Sequence, residues 1–298
     1  MRVTDPPLRM RRSRLGALLL LGYALVACHP GVLDPVGPVG AQQRTILLNS
    51  LFIMLGIVVP TILATLVFAW WFRAGNSKAE YRPTWSYSGR VEMLVWSIPL
   101  LVVIFLGGIA WIGSHDLDPP KPLASNQAPL RVEVVSLDWK WVFIYPDQGV
   151  ATINRLVIPV GRPVTFRITS GTVMNSFFVP RLGSQIYAMS GMATRLNLQA
   201  DQPGRYRGIS AHYSGAGFAD MRFVVDAVAP QQFASWAAGA KAGGGPVLDA
   251  RAYVALARSE NISGVVTYSA VQPGLFDAAV KNSGTILAVS QRDGRQQQ

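Results

Sequence analysis

The sequence holds one cysteine, Cys28, and three histidines in 298 residues. A single thiol excludes a disulfide framework and any metal centre bridged by two thiolates of the same chain. Charge is also scarce: charged residues make up 14% of the chain, 16 of them acidic against 27 basic. The surplus of +11 would suit nucleic acid, but no nucleic-acid motif accompanies it. The basic residues gather instead at the N-terminus (Arg9, Arg11, Arg12, Arg14) and between two apolar spans. Targeting and membrane orientation explain them there, and no nucleic-acid partner is expected. Half of the residues are hydrophobic. That is too apolar for a wholly soluble chain and too polar for a wholly membrane-embedded one, so a chain of both kinds is expected.

Residues 1–27 read as a signal peptide, with a basic start and a short apolar core at 15–27. Met10 is an alternative start. The ending Leu25-Val26-Ala27-Cys28 resembles a bacterial lipobox, which implies lipid on Cys28. The plainer reading is a signal peptide with a coincidental cysteine. If lipidated, Cys28 gains about 0.8 kcal/mol per buried methylene, so two or three acyl chains would anchor it in membrane lipid. Residues 28–45 then form a periplasmic linker rich in Pro and Gly between 30 and 40.

Residues 46–72 are nearly unbroken apolar sequence, long enough to cross a core of about 30 Å with some tilt. Pro60 lies inside this span, with Thr61 beside it to help satisfy freed backbone groups. Trp70 and Trp71 stand where an aromatic belt would. The loop 73–90 carries Arg73, Lys78, Arg82 and Arg90 against Glu80 alone, so it is expected on the cytoplasmic side. Residues 91–113 return across the membrane, with Pro99 inside. Glu92 stands at the start of this second span, where a helix dipole favours a carboxylate.

After a linker the pattern changes. Residues 131–137 alternate apolar and polar at period two, as a half-buried strand does. Similar runs lie at 153–159, 164–169, 195–198 and 222–225, punctuated by Gly161, Pro163, Gly183, Gly191 and Pro203-Gly204. Many short strands between turn signals predict an all-β sandwich or Greek-key barrel over 129–228. Residues 229–282 read as a small helical C-terminal extension containing aromatics, and 283–298 as a tail. Trp139 and Trp141 are read as large residues that pack against and cap the sheet.

One stretch carries more specific information. Between residues 173 and 221 stand the phrases MNSFFVPRLGSQIYAMSGM and YRGISAHYSGAGFADMRF. A binuclear copper centre needs thiolate bridges, imidazoles and a thioether, and in the respiratory oxidases, which these phrases resemble, the ligand loop reads Cys-x3-Cys-x3-His-x2-Met with another histidine upstream. Here that spacing reads Ser210-x3-Ser214-x3-Phe218-x2-Met221, and the upstream histidine position is Asn175, before Ser176 and Phe177. Met221 alone keeps its ligand type. His212, between the two former thiolate positions, is read as a hydrogen-bonding structural residue. No metal is expected in this chain.

These phrases resemble subunit II of a haem–copper respiratory oxidase, of the ubiquinol-oxidising (cytochrome bo-type) branch. The resemblance runs from Cys28 to the Phe276 region. It implies a two-helix transmembrane hairpin, then an extracytoplasmic cupredoxin-like Greek-key β-sandwich. It implies membership of a proton-pumping complex that oxidises ubiquinol and reduces oxygen, with subunit I and further subunits as partners. Haems, copper and the quinol pocket are implied in subunit I, and no cofactor in this chain. It also implies that Glu92 lies at the mouth of a proton path. Two other readings stay open: a cytochrome c oxidase subunit with a degenerate copper site, and a stand-alone membrane-anchored cupredoxin-like binding or assembly protein. Copper content separates the first, and migration without a haem-bearing partner would favour the second.

Overall fold

The computed structural model describes residues 31–80, 82–259 and 264–282. The expected signal peptide, the lipidation site Cys28 and the tail 283–298 lie outside the described residues.

Two long helices come first, α1 (Pro38–Trp71) and α2 (Gly89–Asp116). At about 1.5 Å per residue both exceed the roughly 30 Å of a bilayer core. They are apolar enough to cross one, and their apolar side chains are largely exposed. Helix α1 begins eight residues before the expected 46. Pro38 occupies its first turn, where the missing N–H costs nothing and the fixed φ suits a helix. The supposed linker is therefore a docking segment. Val36 donates its N–H to the Arg181 carbonyl at 2.8 Å, and its own carbonyl accepts from Asp201 N–H at 2.7 Å. Gly40, whose N–H is one of the orphan donors of a helix start, donates to the Leu182 carbonyl at 3.0 Å. A Cβ on Gly37 would lie 2.0 Å from the Gln199 carbonyl oxygen, so only glycine fits this approach. Inside α1, Pro60 deprives the Gly56 carbonyl of its partner. Thr61 instead returns its hydroxyl to Ile57, at 2.8 Å.

The β-domain is a sandwich of two mixed sheets. Its strands are β1 (Leu130–Leu137), β2 (Lys140–Tyr145), β3 (Val150–Ile153), β4 (Arg155–Pro159), β5 (Val164–Ser170), β6 (Asn175–Phe178), β7 (Gln185–Ala188), β8 (Thr194–Leu198), β9 (Gly204–Ser210) and β10 (Arg222–Val228). The first sheet also takes β12 (Val266–Tyr268) from the C-terminal extension, in the order β12-β3-β2-β1-β5-β8; the second runs β4-β10-β9-β6-β7. The run expected at 153–159 is split. Asn154 adopts φ 56°, and its left-handed turn sends β3 into one sheet and β4 into the other. Between the sheets lie Trp141, Phe143, Phe166, Phe177 and Phe223, with Phe177 stacked on Phe223 at 5.1 Å. Tyr145 bridges the sheets: its hydroxyl donates to the Val157 carbonyl at 3.1 Å and accepts from Val157 N–H at 2.7 Å. Burial pushes this phenol above its ordinary value.

The extension is more than a helical cap. Helix α3 (Pro230–Ala242) places Trp236 on Tyr145, while α4 (Ala250–Arg258) and the segment 275–282 cover the outer face of the first sheet. There Val142 and Ile144 meet Leu248, Tyr253, Leu256 and Phe276. Every residue of β2 is buried as a result, since the sandwich core covers one face and the extension the other. The remaining short strands, β11 (Val247–Leu248) and β13 (Ala270–Val271), pair in parallel and hold this layer together.

The emptied ligand loop and the family it marks

Strands β6 and β9 pair antiparallel, with Phe177 opposite Ser210. That pairing brings Asn175 and Ser210 together in the interior. The Ser210 hydroxyl donates to the Asn175 Oδ1 at 3.1 Å. The Asn175 amide donates in turn to Ser136 Oγ on β1 and to the Val173 carbonyl, each at 3.2 Å. Ser136, Asn175 and Ser210 are all buried. An amide and two hydroxyls thus form one hydrogen-bonded chain between the two sheets.

Met221 is buried next to Ser210. Its carbonyl accepts from Ser210 N–H at 3.2 Å, and its thioether receives the Ser214 hydroxyl at 3.8 Å. Phe218 lies in a short 3-10 helix, Ala216–Asp220, with its ring on Tyr213 at 5.6 Å. His212 stands edge-on to Tyr187 at 5.9 Å, and its carbonyl is within 3.3 Å of the Ser210 hydroxyl. The structure therefore brings Asn175, Ser210, Ser214 and Met221 together. Phe218 and His212 lie at the loop surface, turned to aromatic neighbours.

This donor set does not fit a binuclear copper centre. Hydroxyls and an amide are hard, neutral donors, a phenyl ring is none, and one thioether remains. Ser136, Asn175 and Ser210 are hydrogen-bonded to one another, and Ser214 to the Met221 sulfur. Among the described residues, no group of three or more His, Cys, Asp or Glu side chains gathers anywhere.

Ser136 and Trp139 are site residues that the spacing did not reveal. Ser136 lies 39 residues from Asn175, on a different strand, where an isolated serine carries no signal. Trp139 adopts φ 58° in the β1–β2 turn, a conformation that costs a non-glycine residue about 1–2 kcal/mol. Its indole lies on the ligand loop and donates to the Ser214 carbonyl at 3.3 Å. A Cβ on Gly217 would meet the indole at 2.2 Å, so the glycine is what lets the ring lie flat. The two tryptophans thus part: Trp141 fills the core, and Trp139 covers the loop 211–221.

Glu92 lies in the first turn of α2, distant in sequence from the loop, with an exposed side chain. Its N–H donates to the Ser88 carbonyl at 3.0 Å. It lies on a different element from the loop 211–221, and the two form separate candidate sites.

Residues 148–228 match the family model described as cytochrome C oxidase subunit II, periplasmic domain. The chain is 49% identical over 282 residues to a ubiquinol oxidase subunit 2 of Acetobacter aceti, covering 93% of this chain and 91% of that one. It is 47% identical to a cytochrome bo(3) ubiquinol oxidase subunit 2 of Pseudomonas putida, over 91% and 87% of the two chains. Among solved structures, it is similar to the periplasmic domain of subunit II of a cytochrome oxidase of Bradyrhizobium japonicum. That match has a TM-score of 0.38 and 24% identity, and covers 40% of this chain and 99% of the other.

Proposed function

Given that this chain belongs to the ubiquinol oxidase subunit 2 family and is thus a membrane-anchored subunit of an oxidoreductase complex, we propose that it contributes scaffold and a proton-entry group, and no redox centre. The observation that supports this is the hydrogen-bonded chain Ser136–Asn175–Ser210, which occupies the place where copper ligands would converge. A soluble one-electron donor needs an outer relay to hand electrons inward. A quinol dissolved in the bilayer reaches the membrane-embedded partner without one. On this reading the haems and copper of the complex reside in subunit I, α1 and α2 pack against it, and the sandwich covers its outer side.

Lipid on Cys28 and a periplasmic β-domain belong to the same proposal. The sequence Leu25-Val26-Ala27-Cys28 and the basic loop 73–90 support them. Mass spectrometry of the mature N-terminus tests the lipid; a free Cys28 thiol or an uncleaved leader overturns it.

Glu92 is proposed as the proton-entry group. An ionisable side chain at a membrane boundary, next to a partner subunit, is a functional candidate by its cost alone. Its test is Glu92→Gln in the assembled oxidase. Slowed turnover and proton pumping are expected, and unchanged values remove the assignment. The copper-free reading is tested by metal analysis of the full chain purified in mild detergent after growth with copper. Copper well below one per chain is expected, with no near-infrared band. Stoichiometric copper would sink the proposal.

A further inference from the structure

On the outer face of the second sheet, Arg207 of β9 stands opposite Val224 of β10, and Arg205 opposite Asp226. Strand alternation turns Tyr206, Phe223 and Val225 into the core and leaves Arg205, Arg207 and Arg222 exposed. A groove of about 830 Å³ crosses this face, lined by the three arginines with Trp139, Val224 and Val265. Val265 belongs to the C-terminal extension, so the extension supplies one wall.

The charge on this groove is incompletely balanced. Asp226 is shared between Arg155 at 2.7 Å and Arg205 at 3.0 Å, and 73% of the Arg205 side chain stays exposed. Arg207 and Arg222 have no carboxylate within ion-pair distance among the described residues. Among the described residues, Asp220 is the one carboxylate on the lining, and it joins none of these pairs. Guanidinium groups offer paired donors that match carboxylates. Arg205 and Arg207 are alternate residues of one strand, hence about 7 Å apart along it. An extended polypeptide repeats its side chains at that same interval. The indole of Trp139 reaches from the β1–β2 turn to the loop that follows β9, lines the groove, and offers an apolar surface that inorganic anions would not use.

We propose that this groove binds an extended acidic segment of a protein partner. Carboxylates on alternate residues of that segment meet Arg205 and Arg207, with Arg222 of the neighbouring strand adding to the positive charge they face, and an apolar side chain follows against Trp139. This inference is independent of the copper-free reading, since it concerns a different face.

The test uses the assembled oxidase in neutral detergent and a fluorescein-labelled Glu-Ser-Glu-Ser-Phe peptide, followed by anisotropy at low salt. Binding is expected, and the Arg207→Glu/Arg222→Glu variant should weaken it at least ten-fold while oxygen consumption is unchanged. Arg207→Gln/Arg222→Gln should give an intermediate loss, which separates charge from misfolding. The same peptide with lysine for glutamate should not bind. Equal binding by the glutamate variant, or by the lysine peptide, overturns the proposal, as does absence of binding. Displacement of the peptide by phosphatidylglycerol vesicles would also overturn it and assign the groove to anionic lipid.

Discussion

The hydroxyl of Ser210 and the amide oxygen of Asn175, 35 positions apart, meet at 3.1 Å in the interior of the sandwich. The Ser210 hydroxyl supplies the donor that the buried Asn175 amide oxygen needs. The pair ties β6 to β9 through side chains as well as through the strand ladder. Ser210→Ala should therefore destabilise the β-domain by about 1–3 kcal/mol, the cost of leaving a buried amide oxygen short of a donor. Replacing Asn175 as well, by Leu, should add less than its separate effect, because the two residues are coupled. Thermal unfolding of the full chain in detergent reads both; a Ser210→Ala melt identical to the unmodified chain would remove the pair from the list of stabilising contacts.

Tyr145 ties the two sheets through both bonds to Val157. Tyr145→Phe keeps the ring against Trp236 and removes only the hydroxyl. A loss of about 1–3 kcal/mol is expected, since the Val157 N–H is left buried and unpaired. Chemical denaturation measures it, and an unchanged midpoint would mean that the bridge contributes nothing.

Burial raises the Glu133 carboxyl above its ordinary value, and Arg167 at 2.8 Å offsets this only in part. A carboxyl with a raised folded pKa holds its proton more tightly folded than unfolded. Its contribution is complete below the ordinary carboxylate range and is lost as pH rises through the raised value. Glutamine escapes that loss, and Arg167 keeps Asp277 at 2.7 Å. Glu133→Gln should thus melt with the unmodified chain at low pH and above it near pH 7. A lower melting point at neutral pH would reverse the sign and show that the ion pair outweighs burial.

Gly37 tests how the membrane helices are joined to the sandwich. Its Cβ position lies against the Gln199 carbonyl, which is backbone and cannot step aside cheaply. Gly37→Ala should lower the melting point and the yield of assembled oxidase. Gly239→Ala in α3, where the Cβ meets nothing within 4 Å, should be neutral or stabilising. If the two behaved alike, the docking of α1 on the β-domain would not be tight.

Much of the architecture is written in periodicity. Two apolar runs gave the helices, and period-two alternation gave strands such as β1. The phrases around Asn175 and Ser210 carried the family, because their spacing and flanking residues match it. Three features were not legible in the same way. Helix α1 starts at Pro38 because its first turn is held by the β-domain, a tertiary effect hidden inside a Pro/Gly-rich stretch. Asn154 splits an apparently continuous strand through a left-handed backbone, a conformation that asparagine permits without announcing. The extension contributes β12 to a sheet because its short apolar runs make sense only once β3 supplies an edge. A signal did exist for its docking: Lys140–Tyr145 shows no alternation, as a strand covered on both faces should not.

That double cover has a practical consequence. A soluble fragment ended at Val228, the natural boundary of the sandwich, would bare Val142, Ile144, Ala151 and Ile153 to water and leave β3 as an open rim. Such a piece would tend to stick to copies of itself through that greasy plane and its unsaturated border. Anyone preparing the outer half of this subunit in isolation should carry the polypeptide onward through at least Val280.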